Sequence, residues 1–201
     1  MLCASFASFS GVVYEQAYNP DDYGAYFADD PSWTVYDNFT LTDDASISGA
    51  TIWGVYWSNG VVPTPATFNA NFHTDTSWLN PFYDVTVDAV SLIDTGFDHN
   101  GRPGANILEI TLDFGSAVDL LSGVEYWFGI QAINDLNNTF AWQNSYAVDN
   151  LYYQNNRAMR NGADVAFNLV EATSVPEPAS LVLLGLGLTG LSLSRRKKIA
   201  K

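Results

Sequence analysis

The sequence predicts an all-β protein, an antiparallel β-sandwich followed by a single C-terminal transmembrane helix. Three observations support this prediction. Apolar and polar residues alternate along most of the chain, clusters of Asn, Asp, Gly and Pro separate the alternating segments, and an uncharged leucine-rich run lies close to the C-terminus. Alternation is typical of half-buried strands, and such clusters form turns.

The clearest strand is predicted at 106–114. Leu108, Ile110 and Leu112 point to one side of this segment, and Glu109 and Thr111 point to the other. Residues 89–95 fit either a short helix or a strand. The remaining strands are predicted at 11–15, 34–42, 46–57, 67–73, 83–87, 125–132, 139–144 and 164–170. Eight or nine strands without a clear helix favour a sandwich.

The chain divides into three parts. Residues 1–10 are predicted to be the remnant of a signal peptide, because Ser5-Phe6-Ala7 has the small-x-small pattern of a cleavage site. Residues 11–171 form the predicted β-sandwich, and residues 172–201 form a C-terminal segment. Cys3 is the only cysteine, which excludes an intramolecular disulfide.

Charge separates the predicted sandwich from the C-terminal segment. Up to Val175 the chain holds 21 acidic and three basic residues, a net charge of −18, whereas the last 26 residues carry +4. Such an acidic body repels phosphate backbones, so the sequence excludes nucleic acid as a partner.

The C-terminal segment has the composition of a membrane anchor. An uncharged run at 179–194 follows a proline-containing link, and its leucines lie on every face of a helix. Its 16 residues would span about 24 Å, slightly less than a hydrocarbon core of ~30 Å. The basic cluster after it predicts a cytoplasmic C-terminus and an exported body. This predicted stop signal consists of Arg195, Arg196, Lys197 and Lys198.

This segment resembles the PEP-CTERM sorting signal of exopolysaccharide-producing bacteria, which is also known as the ice-binding protein C-terminal domain. The resemblance is carried by the order of the motif, the leucine- and glycine-rich span and the basic end. It implies that an exosortase recognises the motif and cuts near it. The motif residues are Val175, Pro176, Glu177 and Pro178.

The body more loosely resembles jelly-roll-like domains that precede such tails. This resemblance implies a fold and no activity. It is carried by the segments 37–41, 47–54, 126–130, 140–145 and 165–169.

The sequence contains few candidates for catalytic residues. His73 and His99 are the only histidines, neither has a nucleophile elbow beside it, and both are expected at the surface. Glu109 and Glu125 are candidates for a carboxylate pair of the kind that glycosidases use. Because the acidic residues alternate with core positions, they are expected to be solvated rather than catalytic.

Calcium binding has compositional support only. Paired hard-oxygen ligands fall in predicted loops, but none completes an EF-hand loop. Asp21, Asp22, Asp98 and Asn100 are the main candidates, and Asp29-Asp30, Asp43-Asp44 and Asn134-Asp135 are similar pairs. No other cofactor is indicated.

Glycan binding is the more specific functional prediction for the body. Aromatic side chains near loops can stack on sugars, whereas most aromatic residues at strand positions belong to the core. Trp57, Trp78, Tyr152 and Tyr153 lie nearest the predicted loops. Isolated T-x-T pairs at 40–42 and 74–76 give no support to ice binding.

These observations favour an exported, non-enzymatic protein of the cell envelope or exopolysaccharide matrix, which an exosortase cuts near the Pro-Glu-Pro motif. Two alternatives remain open at this point. One is a secreted, carboxylate-dependent hydrolase on the same sandwich. The other is an uncut surface domain that stays anchored through its C-terminal helix.

Overall fold

The structure is a computed structural model, and it describes most of the chain up to residue 172. The described residues are 9–22, 24–28, 33–57, 61–75, 80–101, 104–133, 139–146, 152–154 and 164–172. The signal-peptide remnant predicted at 1–10 therefore lies outside them except for residues 9 and 10. The sorting and membrane segment predicted at 172–201 also lies outside the described residues, except for residue 172.

The described part is built from strands that all pair antiparallel, together with one 3₁₀ turn at His99–Gly101. The predicted all-β, antiparallel body is thus confirmed. The strands are β1 (Phe9–Gln16), β2 (Ala25–Phe27), β3 (Val35–Thr40), β4 (Ala45–Tyr56), β5 (Thr67–His73), β6 (Tyr83–Asp98), β7 (Asn106–Leu120), β8 (Glu125–Ala132), β9 (Phe140–Gln143), β10 (Tyr152–Gln154) and β11 (Phe167–Ala172).

The strands form two hydrogen-bonded layers joined through β6. The first layer has the order β1-β11-β4-β7-β6, and β9 and β2 extend it along the other part of β4. The second layer has the order β6-β5-β8-β3-β10. The first half of β6 pairs with β5 and its second half with β7, so one long strand bends from one layer into the other.

The core lies between the two layers and is rich in aromatic rings. Phe39 of β3 meets Phe167 of β11 edge-on with ring centroids 6.0 Å apart, and Phe128 of β8 meets Trp142 of β9 at 5.8 Å. Trp142 is fully buried, and its indole N–H donates to the carbonyl of Ala166 at 2.7 Å. Burying each such side chain stabilises the fold by roughly 1.5–3 kcal/mol, so these contacts help to hold the two layers together.

One carboxylate also connects the layers. Asp37 of β3 has no exposed surface, and its Oδ2 accepts from the Gln16 side chain at 2.9 Å and from the Val165 backbone N–H at 2.7 Å. Its Oδ1 accepts from the Asn38 N–H at 2.8 Å. Burial raises the pKa of Asp37 well above its ordinary value, the neighbouring Asp164 raises it further, and the three donors oppose the shift. The expectation that the acidic residues are solvated is wrong for Asp37 and Asp164, which are both fully buried.

The strand boundaries differ from the prediction in three places. Residues 89–95, whose sequence fits either a short helix or a strand, continue β6 because they pair with β7. The prediction missed β2 and β10, which have three residues each and too little sequence to show a period. It also ended β7 at 114, although that strand passes Gly115, a residue with φ of +69°, and reaches Leu120.

Among the described residues, no helix has the length and apolar character needed to cross a membrane. The helix predicted at 179–194 falls outside that part of the chain.

Candidate functional site

The outward side of the second layer carries polar and aromatic side chains. Along β5, Phe68, Ala70 and Phe72 point into the core, so the residues between them point outward. The same alternation holds along β3 and β8. We call this surface the amide–aromatic face, and it consists of Tyr36, Asn38, Thr67, Asn69, Asn71, His73, Asp84, Asp88, Glu125, Trp127, Gly129 and Tyr153.

The centre of the face is a row across five strands. Gly129 of β8 lies opposite Asn71 of β5 on one side and Tyr36 of β3 on the other. The row continues to Asp84 of β6 and Tyr153 of β10. A Cβ at Gly129 would lie 2.3 Å from Asn71 Oδ1 and 2.5 Å from the Tyr36 ring. Glycine is therefore required here because the Asn71 amide and the Tyr36 ring close over its backbone.

Two edge-on ring contacts order the aromatic side chains. The Trp127 and Tyr153 rings are 4.9 Å apart with an interplanar angle of 84°. The Tyr36 and His73 rings are 5.3 Å apart at 82°. Trp127, Tyr36 and His73 are buried, whereas Tyr153 is half-buried. The first three form a packed floor, and Tyr153 offers ring surface at its border.

A chain of side-chain hydrogen bonds runs along the face. The Asn69 amide N–H donates to Asp84 Oδ1, and Asn71 Nδ2 donates to Asn69 Oδ1 at 2.9 Å. Asn71 Oδ1 then faces His73 Nε2 at 3.2 Å. Because a carboxylate can only accept, Asp84 sets the direction of both amides, and Asn71 is left with an acceptor for His73. His73 therefore carries its proton on Nε2.

Burial changes the titration of two members of the floor. It lowers the pKa of His73, although the negative charges of Asp75 and Asp84 act in the opposite direction. It raises the pKa of Tyr36, where a hydrogen bond with Thr34 opposes the shift and the charge of Asp84 adds to it. The imidazole and the phenol are consequently both neutral near pH 7.

Exposed carboxylates border the floor. Asp84 and Asp88 lie on β6, and Glu125 lies at the start of β8. Each accepts from a side chain of the adjacent strand: Asp84 from Asn69, Asp88 from the Thr67 hydroxyl at 2.6 Å, and Glu125 from the Asn38 amide at 3.3 Å. Their orientation is thereby restricted.

Only one of the four predicted sugar-stacking residues has its side chain placed on this face. Tyr153 lies there against Trp127. Trp57 lies at the end of β4, with its ring 4.6 Å from His99 and 6.5 Å from Phe27. Tyr152 belongs to β10, but its side chain lies outside the described residues, as does the whole of Trp78.

Local hydrogen bonds hold the carboxylate of one predicted calcium ligand, Asp22. Asp22 accepts from the Gly24 N–H at 2.8 Å and from the Asn144 amide at 3.1 Å. Asp21 donates its backbone N–H to the Asn19 side chain at 3.0 Å, Asp98 ends β6, and Asn100 has φ of 54° in the adjacent 3₁₀ turn. In the part of the chain that the structure describes, no three His, Cys, Asp or Glu side chains are grouped to hold a metal ion. Asp29, Asp30, Asn134 and Asp135 lie outside that part.

The structure buries the two histidines considered for catalysis and places the two candidate glutamates on different layers. Both histidines are buried, so the expectation of surface histidines is wrong. His99 Nδ1 accepts from the Gln143 amide at 2.7 Å beneath Trp57. Glu109 points outward from the first layer opposite Trp53, and Glu125 points outward from the second layer. The fold does not bring these two carboxylates together.

The sorting motif predicted at 175–178 follows the last described strand, which ends at Ala172. In a comparison with protein-family models, residues 174–197 match the PEP-CTERM protein-sorting motif. This segment is a PEP-CTERM sorting motif. The matched range contains Pro176, Glu177 and Pro178 and ends within the basic cluster, and the motif marks an exported protein that an exosortase sorts. No curated protein matches the chain significantly.

Sequence reasoning missed most of the amide–aromatic face. Tyr36 and Trp127 are strand aromatics, a class expected in the core, and Asn69, Asn71 and His73 read as an ordinary polar side of a strand. Alternation was the available signal, because Trp127 has the opposite parity to Phe128 and Ile130 on β8. It identifies the side of each strand but not which strands are neighbours.

Proposed function

We propose that the chain is an exported, non-enzymatic protein whose C-terminal segment anchors it in the inner membrane until an exosortase cuts near Pro176-Glu177-Pro178. The released or transferred body then binds a glycan of the envelope or exopolysaccharide matrix. The match of residues 174–197 to the sorting motif is the observation that carries the sorting role. The apolar run at 179–194 and the four following bases support an anchor with a cytoplasmic C-terminus.

The position of β11 supports processing of a folded body. β11 ends at Ala172 and lies between β1 and β4, so its backbone pairs on both sides. A cut near 176–178 leaves every described strand pairing intact. The link from Ala172 to Pro176 can span at most about 14 Å when extended, which keeps the β1–β11 end of the body close to the membrane before the cut.

The strand order supports a jelly-roll-like β-sandwich. When the short strands β2, β9 and β10 are set aside, the other eight fall into two groups of four. Counted along the chain, the groups have the orders 1-8-3-6 and 2-7-4-5. Two Greek keys that wind around each other produce this arrangement.

The amide–aromatic face supports glycan binding over catalysis. Its exposed carboxylates, oriented by side chains of the adjacent strands, can accept hydrogen bonds from sugar hydroxyls, and Tyr153 can contact an apolar sugar face. Its buried floor is ordered before a ligand arrives, which lowers the entropic cost of binding.

The sorting role is tested by expressing the full gene with its upstream DNA in hosts with and without an exosortase. We expect a species ending near residue 176 outside the membrane fraction only when the enzyme is present, as read by fractionation and intact mass. Alanine at Pro176, Glu177 and Pro178 should keep the chain uncut. Glu171→Gln is the matched control, because it removes a nearby carboxylate outside the matched segment. Retention of Lys201 in the exported protein with the enzyme present would refute this role.

Glycan binding is tested with the full chain and a set of soluble polysaccharides in affinity electrophoresis. The set contains dextran, hydroxyethyl cellulose, galactomannan, xylan, alginate and chitosan. We expect retardation by at least one member and loss of it after Tyr153→Ala. Unretarded migration in all six would refute glycan binding without affecting the sorting role.

A further inference from the structure

We infer that the amide–aromatic face binds an uncharged, hydroxyl-rich polysaccharide and rejects polyanionic ones such as polyuronates. The inference rests on the proposed glycan-binding function and specifies its ligand class. It is drawn from the acceptors at the border of the face, the neutral groups of its floor and the charge of the body.

The border presents exposed hydrogen-bond acceptors whose orientation is restricted by neighbouring side chains. Asp84, Asp88 and Glu125 are exposed, and each has one oxygen held by a donor from a neighbouring strand. A carboxylate has two oxygens with about four acceptor positions, so one held oxygen leaves capacity for a ligand. Sugar hydroxyls donate to such groups through charge-assisted hydrogen bonds, which are stronger than neutral ones.

The floor provides no positive charge to offset these carboxylates. The chain of hydrogen bonds from His73 through Asn71 and Asn69 to Asp84 consists of a neutral imidazole, two amides and one carboxylate. All three basic residues of the body lie outside the described residues. Recognition of a uronate or sulfate at these carboxylates would bring like charges together, which costs free energy.

The charge of the whole body acts in the same direction. With 21 acidic and three basic residues up to Val175, the surrounding field opposes the approach of a polyanion. A neutral polymer does not experience this field, and its binding depends only weakly on salt. A polycation would be attracted, but its binding would fall steeply as salt screens the attraction.

The test measures dissociation constants of the full chain for the six polysaccharides named above, at about 0.02 M and about 0.5 M NaCl, where the screening lengths differ several-fold. We expect a neutral polymer to bind with a constant that changes less than about twofold between the two salts. We expect alginate to bind at least about thirtyfold more weakly at low salt.

Two matched variants locate the effect on the face. Asp84→Asn keeps the side-chain shape and removes the charge, and we expect about threefold to tenfold weaker binding of the neutral polymer, because a charge-assisted bond becomes a neutral one. Glu109→Gln removes the same charge from the outward side of the first layer and should change neither constant. Circular dichroism spectra of both variants verify that the fold is retained.

The outcomes separate the two proposals. Binding of alginate as tight as that of the neutral polymers would overturn the ligand class and leave glycan binding standing. Binding of chitosan alone, lost at high salt, would overturn it in favour of a cationic ligand. Absence of binding to all six polymers would overturn glycan binding itself.

Discussion

The outward sides of the two layers differ although the same alternation produces both. On the first layer, Glu109, Thr111 and Asp113 of β7 are half-buried and lie along a single strand. On the second layer, His73, Asn71 and Trp127 are buried, and the polar groups of β5 and β6 are joined by hydrogen bonds. Alternation therefore places residues outward, whereas an organised surface requires neighbouring strands with complementary side chains.

The first layer also has an aromatic pair on its outward side, so the two layers cannot be told apart by aromatic residues alone. Trp53 of β4 is nearly parallel to Tyr18, with ring centroids 6.2 Å apart and an interplanar angle of 7°. Burial raises the pKa of Tyr18 to about 12, and the charge of Asp21 adds to the effect. Trp53 lies opposite Glu109 and not within a row of amides. Aromatic surface alone thus does not distinguish the two sides.

The largest expected effect comes from breaking the connection between the layers. Asp37→Ala leaves the Gln16 amide and the Val165 N–H without their buried acceptor, and we expect a loss of about 3 kcal/mol in the free energy of unfolding. Urea unfolding measures it. Glu109→Ala, on the outward side of the first layer, should stay within about 0.5 kcal/mol of the wild type. Equal losses in the two variants would contradict the connecting role of Asp37.

Filling the central gap of the amide–aromatic face should have the next largest effect. Gly129→Ala forces the Asn71 amide or the Tyr36 ring to move, and we expect about 2 kcal/mol lower stability from overpacking. The control is Gly11→Ala on β1, where nothing lies within 4 Å of the new Cβ, so no loss is expected. Thermal unfolding compares the two, and a stable Gly129→Ala protein would show that the row is not closely packed.

Removing one aromatic ring from each outward side tests the functional difference. We expect Tyr153→Ala to weaken binding of a neutral polysaccharide about tenfold, which corresponds to about 1.4 kcal/mol, because it removes the ring at the border of the face. Trp53→Ala should leave the dissociation constant unchanged within about twofold. The comparison is measured by titration calorimetry. If the Trp53 variant loses more affinity, the binding surface belongs to the first layer.

The smallest effect is a dependence of stability on pH. Because the pKa of folded Asp37 is raised above its ordinary value of 3.8, the folded state holds this proton more tightly than the unfolded chain. The stabilising contribution is complete below 3.8 and is lost as pH rises through the raised value. We expect the stability of the wild type to fall over this window relative to that of Asp37→Asn, in urea unfolding at several pH values. Parallel curves would show that the pKa of Asp37 does not differ between the folded and unfolded states.

The sequence by itself determined the class of fold and the sorting signal. The alternation around Leu108, Ile110 and Leu112 places all three in the core, as predicted, because the period of a strand is a local property. The sorting motif was readable for a similar reason, since its order of Pro-Glu-Pro, apolar span and bases is contained in about 25 consecutive residues.

Only the tertiary structure decided which outward residues meet. Tyr36, Asn71 and Gly129 are far apart in sequence, and they become one row through the register of β3, β8 and β5. The sequence also did not indicate that Asp37 is buried, because its carboxylate accepts hydrogen bonds from Gln16 and Val165, which lie at opposite ends of the body. A strand's own residues specify its two sides, whereas its neighbours and register are set by packing between distant segments.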